Sequence, residues 1–261
     1  MSIITLTTDF GTGSPYVAAM KGVILSICPE ATLVDLTHDV PAQDIRHAAM
    51  VLDSVCPRFP KGTIHVVVVD PGVGTDRAIV YARIGGQQFI APDNGLLSRL
   101  VERDPPEQLV RLANPEFWLP EVSNTFHGRD VMAPAAAHVA RGVPPERLGP
   151  PHEGMVAIEW LRVHRGERRL EGVVEQIDSF GNLITNITVE MLDGRPTDER
   201  ACIICSIYET FGIYRSYAEQ PPGTLVAIIE SSGKLELAVV GDNAASRLGI
   251  EIGALVIVAW E

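Results

Sequence analysis

The sequence predicts an α/β protein of two domains: an N-terminal α/β domain around a mostly parallel central sheet, and a smaller C-terminal antiparallel β-barrel domain. Three observations support this prediction. Strands and amphipathic helices alternate through the first half of the chain, four prolines fall within residues 142–154, and short strands separated by turn residues follow. We place the domains at residues 1–153 and 154–261, since either is long enough to bury a core.

The first domain shows a β-α-β-α-β alternation. Strands are predicted at residues 3–7, 32–36, 66–69, 78–84, 88–91 and 109–112. Helices are predicted from Ser14 to just before Pro29, over 44–56, over 96–101, and from Asp130 to near Gly142. The run from Val66 to Val69 is β-branched throughout, which is typical of a strand buried on both faces. This alternation predicts a parallel sheet with helices on both sides.

The second domain contains short strands and no helical pattern of comparable strength. The strands are predicted at residues 172–177, 182–187, 201–207, 224–230, 235–240 and 254–259. Gly, Pro, Asp and Asn turns separate them, so consecutive strands are expected to pair antiparallel in a barrel-like sheet.

The charge balance limits the partners that the protein can have. With 21 basic and 33 acidic residues, the formal net charge is −12, which would repel a nucleic acid or an anionic membrane. No apolar run approaches the ~20 residues of a membrane span, and residues 1–6 lack the features of a signal peptide. We therefore expect a cytoplasmic protein with neither nucleic-acid nor membrane partners.

Two familiar site types are not supported by the sequence. Cys202 and Cys205 have C-x-x-C spacing, but the residues between them indicate a strand, whose positions i and i+3 face opposite sides. Core cysteines are the simpler interpretation, and the same holds for Cys28 and Cys56. Neither a dinucleotide-binding glycine motif nor a P-loop follows any predicted strand.

Polar residues follow several predicted strands of the first domain. Asp9, Asp70 and the pair Asp93–Asn94 each follow a strand, and His127 precedes a helix. In a parallel sheet these positions gather at the carboxyl edge, where α/β proteins bind ligands. Arg77 follows a glycine-containing loop and can fold back towards Asp70. Taken alone, each aspartate is also compatible with an ordinary turn cap, Arg77 with a solvated arginine, and His127 with a loop hydrogen bond.

Six collinear motifs resemble those of one known family. They are Thr-Thr-Asp-Phe-Gly at 7–11, Asp-Pro-Gly-Val-Gly at 70–74, Ala-Pro-Asp-Asn-Gly at 91–95, Asn-Thr-Phe-His-Gly-Arg-Asp at 124–130, Asp-Ser-Phe-Gly-Asn at 178–182 and Asn-Ala-Ala at 243–245. They look like the motifs of the S-adenosyl-L-methionine (SAM) hydroxide adenosyltransferases, or SAM hydrolases. These enzymes are relatives of the SAM-dependent fluorinase and chlorinase.

The resemblance implies a reaction and three catalytic residues. Water attacks C5′ of the SAM ribose and releases adenosine and L-methionine, without a metal or other cofactor. The Asp-Arg-His set of the water-using branch maps onto Asp70, Arg77 and His127, whereas the halide-using branch has a tyrosine in place of Asp70. The resemblance also implies a homotrimer with active sites at subunit interfaces.

The resemblance further implies a set of substrate contacts. Asp9 would accept hydrogen bonds from the ribose hydroxyls, Phe126 would wall the ribose, and Phe180 would stack on adenine. Asp178 and Asn182, helped by Ser231, would hold the methionine end. The full expected set is Asp9, Asn94, Phe126, Gly128, Asp178, Phe180, Asn182, Ser231 and Ser232. Gly128 and Ser232 stand where the fluorinase has serine and arginine, so a halide site and some methionine contacts differ here.

Three alternatives stay open at the level of sequence. One is a halogenase of the same superfamily, and a second is a SAM or nucleoside sensor without catalytic activity. A third is a metal hydrolase that uses Asp9, Asp70 and His127 as ligands.

Overall fold

The structure is a computed structural model that describes residues 2–260. The chain divides into two units between Ile158 and Glu159. The strands of the first unit are β1 (Ile3–Thr8), β2 (Thr32–Thr37), β3 (Ile64–Val68), β4 (Ile79–Ile84), β5 (Gln87–Pro92) and β6 (Gln108–Arg111). Its α-helices are α1 (Pro15–Ile27), α2 (Ile45–Val55), α3 (Ser98–Arg103) and α4 (Ala133–Ala140).

The first unit contains a six-stranded sheet in the order β2-β1-β3-β5-β4-β6. Neighbours among β2, β1, β3 and β5 pair in parallel, whereas β4 runs antiparallel to both β5 and β6. Gly85 and Gly86, both at positive φ, form the tight turn between β4 and β5, which explains why β4 is reversed. The prediction of a parallel-rich sheet in an α/β unit is confirmed.

The strand β3 is buried on both faces, as its valine run predicts. Val66 and Val68 face a core shared with α1 and α4, while Val67 faces the core beside α2 and α3. The two helix layers thus cover opposite faces of the sheet. Ser14 caps α1 by accepting a hydrogen bond from the backbone N–H of Tyr16, and Pro15 occupies its first position.

The second unit is a mostly antiparallel, barrel-like sheet. Its strands are β7 (His164–Arg165), β8 (Arg169–Ile177), β9 (Leu183–Thr188), β10 (Ala201–Cys205), β11 (Tyr208–Phe211), β12 (Ile213–Tyr214), β13 (Leu225–Ile229), β14 (Lys234–Val239) and β15 (Leu255–Trp260), with one short helix, α5 (Ala244–Leu248). The order is β11-β10-β15-β8-β9-β14-β13-β12, with β7 paired to β8. Thr210 of β11 donates a hydrogen bond to the carbonyl of Leu225 in β13, which brings the two ends of the sheet together.

The strands β7, β11 and β12 and the helix α5 are not among the predicted elements, and two predicted segments differ in detail. The predicted strand 201–207 stops at Cys205, because Ser206 has a φ of +57° and the chain reverses into β11. Cys205 is buried and Cys202 only partly so, as expected for opposite faces of one strand. Part of the predicted linker forms a 3-10 turn, Pro145–Leu148, whose two end residues are buried in the first unit. Within the described residues, no helix is long and apolar enough to cross a membrane.

Candidate active site

The ends of two neighbouring parallel strands bring Asp9 and Asp70 to the same edge of the sheet. Thr8, the last residue of β1, is in register with Val68, the last residue of β3. Adjacent strands lie roughly 4.8 Å apart, so the loops that carry the two carboxylates start side by side. The clustering expected at the carboxyl edge is therefore present for these two residues.

Arg77 folds back onto Asp70. Its Nε atom lies 3.0 Å from Oδ1 and 2.9 Å from Oδ2 of Asp70, and its Nη2 atom lies 2.5 Å from Oδ2. Both side chains are largely buried, with exposed fractions of 11% for Arg77 and 5% for Asp70. A buried, charge-assisted pair of this kind holds the carboxylate in one orientation.

His127 joins the pair through Arg77. The Nη2 atom of Arg77 lies 2.9 Å from Nδ1 of His127. A guanidinium can only donate, so Nδ1 is the acceptor and the proton of the neutral ring is on Nε2. Burial, together with the charge of Arg77, lowers the pKa of His127, and the nearby carboxylates only partly oppose this.

Gly74 brings together the two loops that carry these residues. It has a φ of +81°, and a Cβ atom at this position would lie 2.6 Å from the backbone oxygen of Asn124. Only glycine permits both the conformation and the close approach. Thr75 donates a 2.7 Å hydrogen bond to the carbonyl of Gly72 and accepts one from the backbone of Arg77, which fixes the end of the loop.

The helix after His127 begins with a wide π-helical turn, Gly128–Met132, before α4 continues as a regular α-helix. The sequence predicts a helix from Asp130 but not this turn, which occurs often at functional sites. A Cβ atom on Gly128 would approach the methyl groups of Val68 to about 3.0 Å. Gly128 thus allows the helix to pack tightly against the end of β3.

A cavity of about 410 Å³ lies at this edge of the sheet. Five of the predicted site residues line it, namely Asp9, Asp70, Phe126, His127 and Gly128. Asp9 accepts a 2.8 Å hydrogen bond from the backbone N–H of Gln43, whose φ is +64°. A non-glycine residue in this conformation is strained, and such strain is often found where a ligand is held. The sequence carries no signal for it.

Three aromatic rings form one wall of the cavity. Phe10, Tyr16 and Phe126 pack edge to face with centroid distances of 5.1–5.6 Å. Sequence reasoning identified only Phe126 as a site residue. Phe10 directly follows Asp9, and Tyr16 lies in the first turn of α1. Both therefore flank the strand-to-helix loop, and this position is the feature of the sequence that could have identified them as site residues. Aromatic faces attract cations, including a sulfonium group.

Asn94 does not line this cavity. Its side-chain nitrogen donates a 3.0 Å hydrogen bond to the carbonyl of Val69, and its side-chain oxygen accepts a bond from the backbone of Leu96. The adjacent Asp93 pairs with His152 at 2.9 Å. The Asn94 bond supports the end of the valine strand next to Asp70.

The predicted residues of the second unit lie in two turns. In the first turn, Asp178 accepts hydrogen bonds from the backbones of Phe180 and Asn182 and from the Asn182 side chain, and Phe180 is 76% exposed. In the second, Glu230 accepts bonds from the side chains of Ser231 and Ser232.

An acidic group that sequence reasoning missed lies between these two turns. Tyr217 donates a 2.7 Å hydrogen bond to the buried carboxyl of Glu236. Burial raises the pKa of Glu236, and the charges of Asp178 and Glu230 raise it further. The charges of both turns therefore act on the Tyr217–Glu236 pair. The three carboxyl groups of Asp178, Glu230 and Glu236 suit a cationic ligand.

The set considered as metal ligands does not form a metal site. Among residues 2–260, no three His, Cys, Asp or Glu side chains form a group that could hold a metal ion, and Asp9, Asp70 and His127 are included in that finding.

Comparisons with known proteins agree with the geometry. Residues 4–149 match the SAM hydroxide adenosyltransferase N-terminal domain, and residues 172–257 match the C-terminal domain of the same family. A protein of Thermus thermophilus named (R)-S-adenosyl-L-methionine hydrolase is 38% identical, over 97% of this chain and 98% of its own. A fluorinase of Nocardia brasiliensis is 29% identical over 71% of each chain.

Among solved structures, an uncharacterized conserved protein from Thermotoga maritima superposes with a TM-score of 0.93 at 32% identity, covering 98% of this chain and 99% of its own. Since both units match one family and a relative is similar over nearly the whole length, the chain belongs to the SAM hydroxide adenosyltransferase family.

Proposed function

We propose that this protein is a hydrolase that cleaves SAM with water at ribose C5′, giving adenosine and L-methionine. The observation that carries the proposal is the Asp70–Arg77–His127 cluster beside a cavity that also holds Asp9. Family membership and the similarity to named SAM hydrolases support the same reaction.

The reaction is a substitution at carbon. The water oxygen forms a bond to C5′ while the C5′–S bond breaks, and the electron pair of that bond leaves on the sulfur of methionine. The leaving group is a neutral thioether, so no general acid is needed. One proton of the water must be taken up, and the site must hold the oxygen in line with carbon and sulfur.

Asp70 is the residue that takes up this proton. The guanidinium of Arg77 offers only hydrogen-bond donors, and Nδ1 of His127 is already occupied by a hydrogen bond from Arg77. Each Asp70 oxygen retains lone-pair capacity beyond the bonds from Arg77 and can accept a hydrogen bond from water. His127 acts on the reaction by fixing Arg77. Base assistance contributes roughly 3–5 kcal/mol and alignment up to ~7–11 kcal/mol.

The same carboxylate explains the choice of water over halide. A negative charge fixed beside the attacking position repels fluoride and chloride, whereas it attracts the hydrogen atoms of water. The halide-using branch, by resemblance, has a neutral tyrosine here.

Product analysis tests the proposed function. The protein is incubated with SAM in halide-free buffer, and again with chloride or fluoride. Adenosine and methionine are expected in both cases, and a 5′-halo-5′-deoxyadenosine product would contradict the hydrolase assignment. Binding without turnover would indicate a sensor. Both sulfonium epimers are assayed, because the named relatives specify the (R) form.

Further parts of the proposal concern binding and assembly. Asp9 accepts hydrogen bonds from the ribose hydroxyls, and Asp178, Asn182 and Ser231 hold the methionine end. The protein functions as a cytoplasmic homotrimer with active sites at subunit interfaces and needs neither a metal nor another cofactor. Light scattering coupled to size-exclusion chromatography tests the trimer, and turnover after chelator treatment tests the absence of a metal requirement.

A further inference from the structure

A second cavity, of about 250 Å³, borders both partners of the Arg77–His127 contact. Its polar lining is Thr75, Arg77, Arg111 and His127, and its apolar lining includes Ile79, Leu112, Trp118 and Val131. All of these residues belong to the first unit. The mechanism proposed above does not use this cavity.

The catalytic cluster separates the two cavities. His127 lines both of them, Asp70 lines only the first, and Arg77 lines only the second. The guanidinium bonded to both Asp70 and His127 therefore forms part of the wall between the chambers. A small molecule in the second cavity would reach the Asp70 carboxylate by passing the edge of this wall.

Bound substrate restricts how water reaches the reacting carbon. In-line attack requires the oxygen on the face of C5′ opposite to sulfur, and ligands in such pockets bury most of their surface. Each turnover consumes one water molecule at that position. A route through the first cavity would lead past the bound substrate, whereas the second cavity borders Arg77 and His127 and shares only His127 with the lining of the first.

We propose that the second cavity delivers the attacking water and that the apolar side chains in its lining restrict the nucleophile to the size of water. This inference rests on the proposed function. Val131 is the residue that sets the size, because it lies in the π-helical turn after His127, is only 3% exposed and lines the second cavity but not the first.

The experiment measures competition between water and methanol. When methanol attacks, its oxygen bonds to C5′, the C5′–S bond breaks, methionine leaves and the hydroxyl proton passes to Asp70, so the product is 5′-O-methyladenosine. The ratio of this ether to adenosine is measured in mixed solvent for the wild-type protein and for Val131→Ala. A size difference of one methyl group, such as that between methanol and water, commonly changes discrimination in an apolar pocket by about tenfold or more. We therefore expect the ether-to-adenosine ratio to rise by that order in Val131→Ala.

A matched variant distinguishes the two routes. Val73 lines only the first cavity, so Val73→Ala should leave the ether-to-adenosine ratio at the wild-type value. Ile79→Val, a milder change in the second cavity, should raise the ratio and serves if Val131→Ala does not fold. A rise in Val73→Ala equal to that in Val131→Ala, or no rise in any variant, would overturn the inference.

Failure of the inference and failure of the proposed function give different results. If the wild-type protein produces no adenosine from SAM, the proposed function itself is wrong. If it produces adenosine at an ordinary rate while the product ratio ignores Val131 and Ile79, only the role of the second cavity is wrong.

Discussion

The Nη2 atom of Arg77 lies 2.9 Å from Nδ1 of His127 and 2.5 Å from Oδ2 of Asp70, so one nitrogen links the imidazole to the carboxylate. Its two hydrogen atoms account for both contacts. The arrangement assigns different tasks to residues that sequence alone could not separate, since Asp70 and His127 are both able to accept a proton in principle.

The Asp70→Asn variant should lose turnover by about 10²–10⁴-fold while SAM still binds, because the amide keeps the shape of the side chain but is not a base. Initial rates of adenosine formation and calorimetric binding of SAM measure the two effects. Asp76→Asn is the matched control, as Asp76 is exposed in the same loop. Near-normal turnover in Asp70→Asn would rule out the role given to Asp70.

His127→Gln should retain more activity than His127→Ala, since the glutamine oxygen can still accept a hydrogen bond from Arg77. The pH profile separates a positioning role from a merely structural one. Protonation of His127 removes the acceptor on Nδ1, so wild-type kcat should fall on acidification with a midpoint below the ordinary value of 6.5, because the pKa is lowered. This fall in kcat at low pH should be absent in His127→Gln. If it is unchanged in that variant, a group other than His127 is responsible for it.

Gly74→Ala should destabilise the protein by about 1–3 kcal/mol and lower kcat, because an added Cβ atom is strained at positive φ and meets the backbone of Asn124. Displacement of this loop moves Arg77 away from both partners. Chemical denaturation and kinetic assays provide the measurements. Gly13→Ala, where a Cβ atom meets nothing within 4 Å, is the control in another loop. Equal effects of the two substitutions would argue against the packing role of Gly74.

Gly128→Ser should not create a halogenase. The new side chain crowds Val68, which costs about 1–3 kcal/mol, and the charge of Asp70 still repels an anion. Thermal unfolding and product analysis in chloride test both parts. A 5′-chloro product from this single variant would show that the carboxylate does not control the choice of nucleophile.

Stability should fall on acidification because His65 is buried as a neutral ring. It contacts the Thr5 hydroxyl at 2.7 Å and stacks on Phe89, and burial lowers its pKa to about 4. Between pH 6.5 and about 4 the unfolded chain binds a proton that the folded chain does not, so up to about 3 kcal/mol is lost across this window. Denaturant titrations of wild type and His65→Gln measure the difference, and identical slopes against pH would contradict it.

The positions of Asp9 and Asp70 at one edge of the sheet could be predicted from sequence, because the carboxyl ends of neighbouring parallel strands always lie at the same edge. A buried valine run that ends in Asp-Pro-Gly places Asp70 at a strand end, and β1 places Asp9 beside it. The contact between Arg77 and His127 joins two loops, and the two residues are 50 positions apart in the sequence. The residue types make such a contact possible, but they do not determine that the loops meet.

Other features had no local signal at all. The positive φ of Gln43 is imposed by tertiary contacts, since nothing in the residue itself favours that conformation. The turn at Ser206 is followed by Ile207, which is 85% exposed, so the apolar pattern of 201–207 continues through a reversal of the chain. Asn94 is expected among the substrate contacts, but its side chain bonds the end of a strand, which only the hydrogen bonds reveal.

The reversed direction of β4 has a consequence for how this chemistry can change. Since β4 starts at the edge where β3 and β5 finish, the chain needs only a short connection to return Arg77 to Asp70, which precedes it by seven positions in the sequence. The acid and its cation thus lie on one short loop, which packs against the neighbouring loop at Asn124 through Gly74. Exchanging that loop for one from a halide-using relative can replace the nucleophile-selecting element while the underlying sheet is retained.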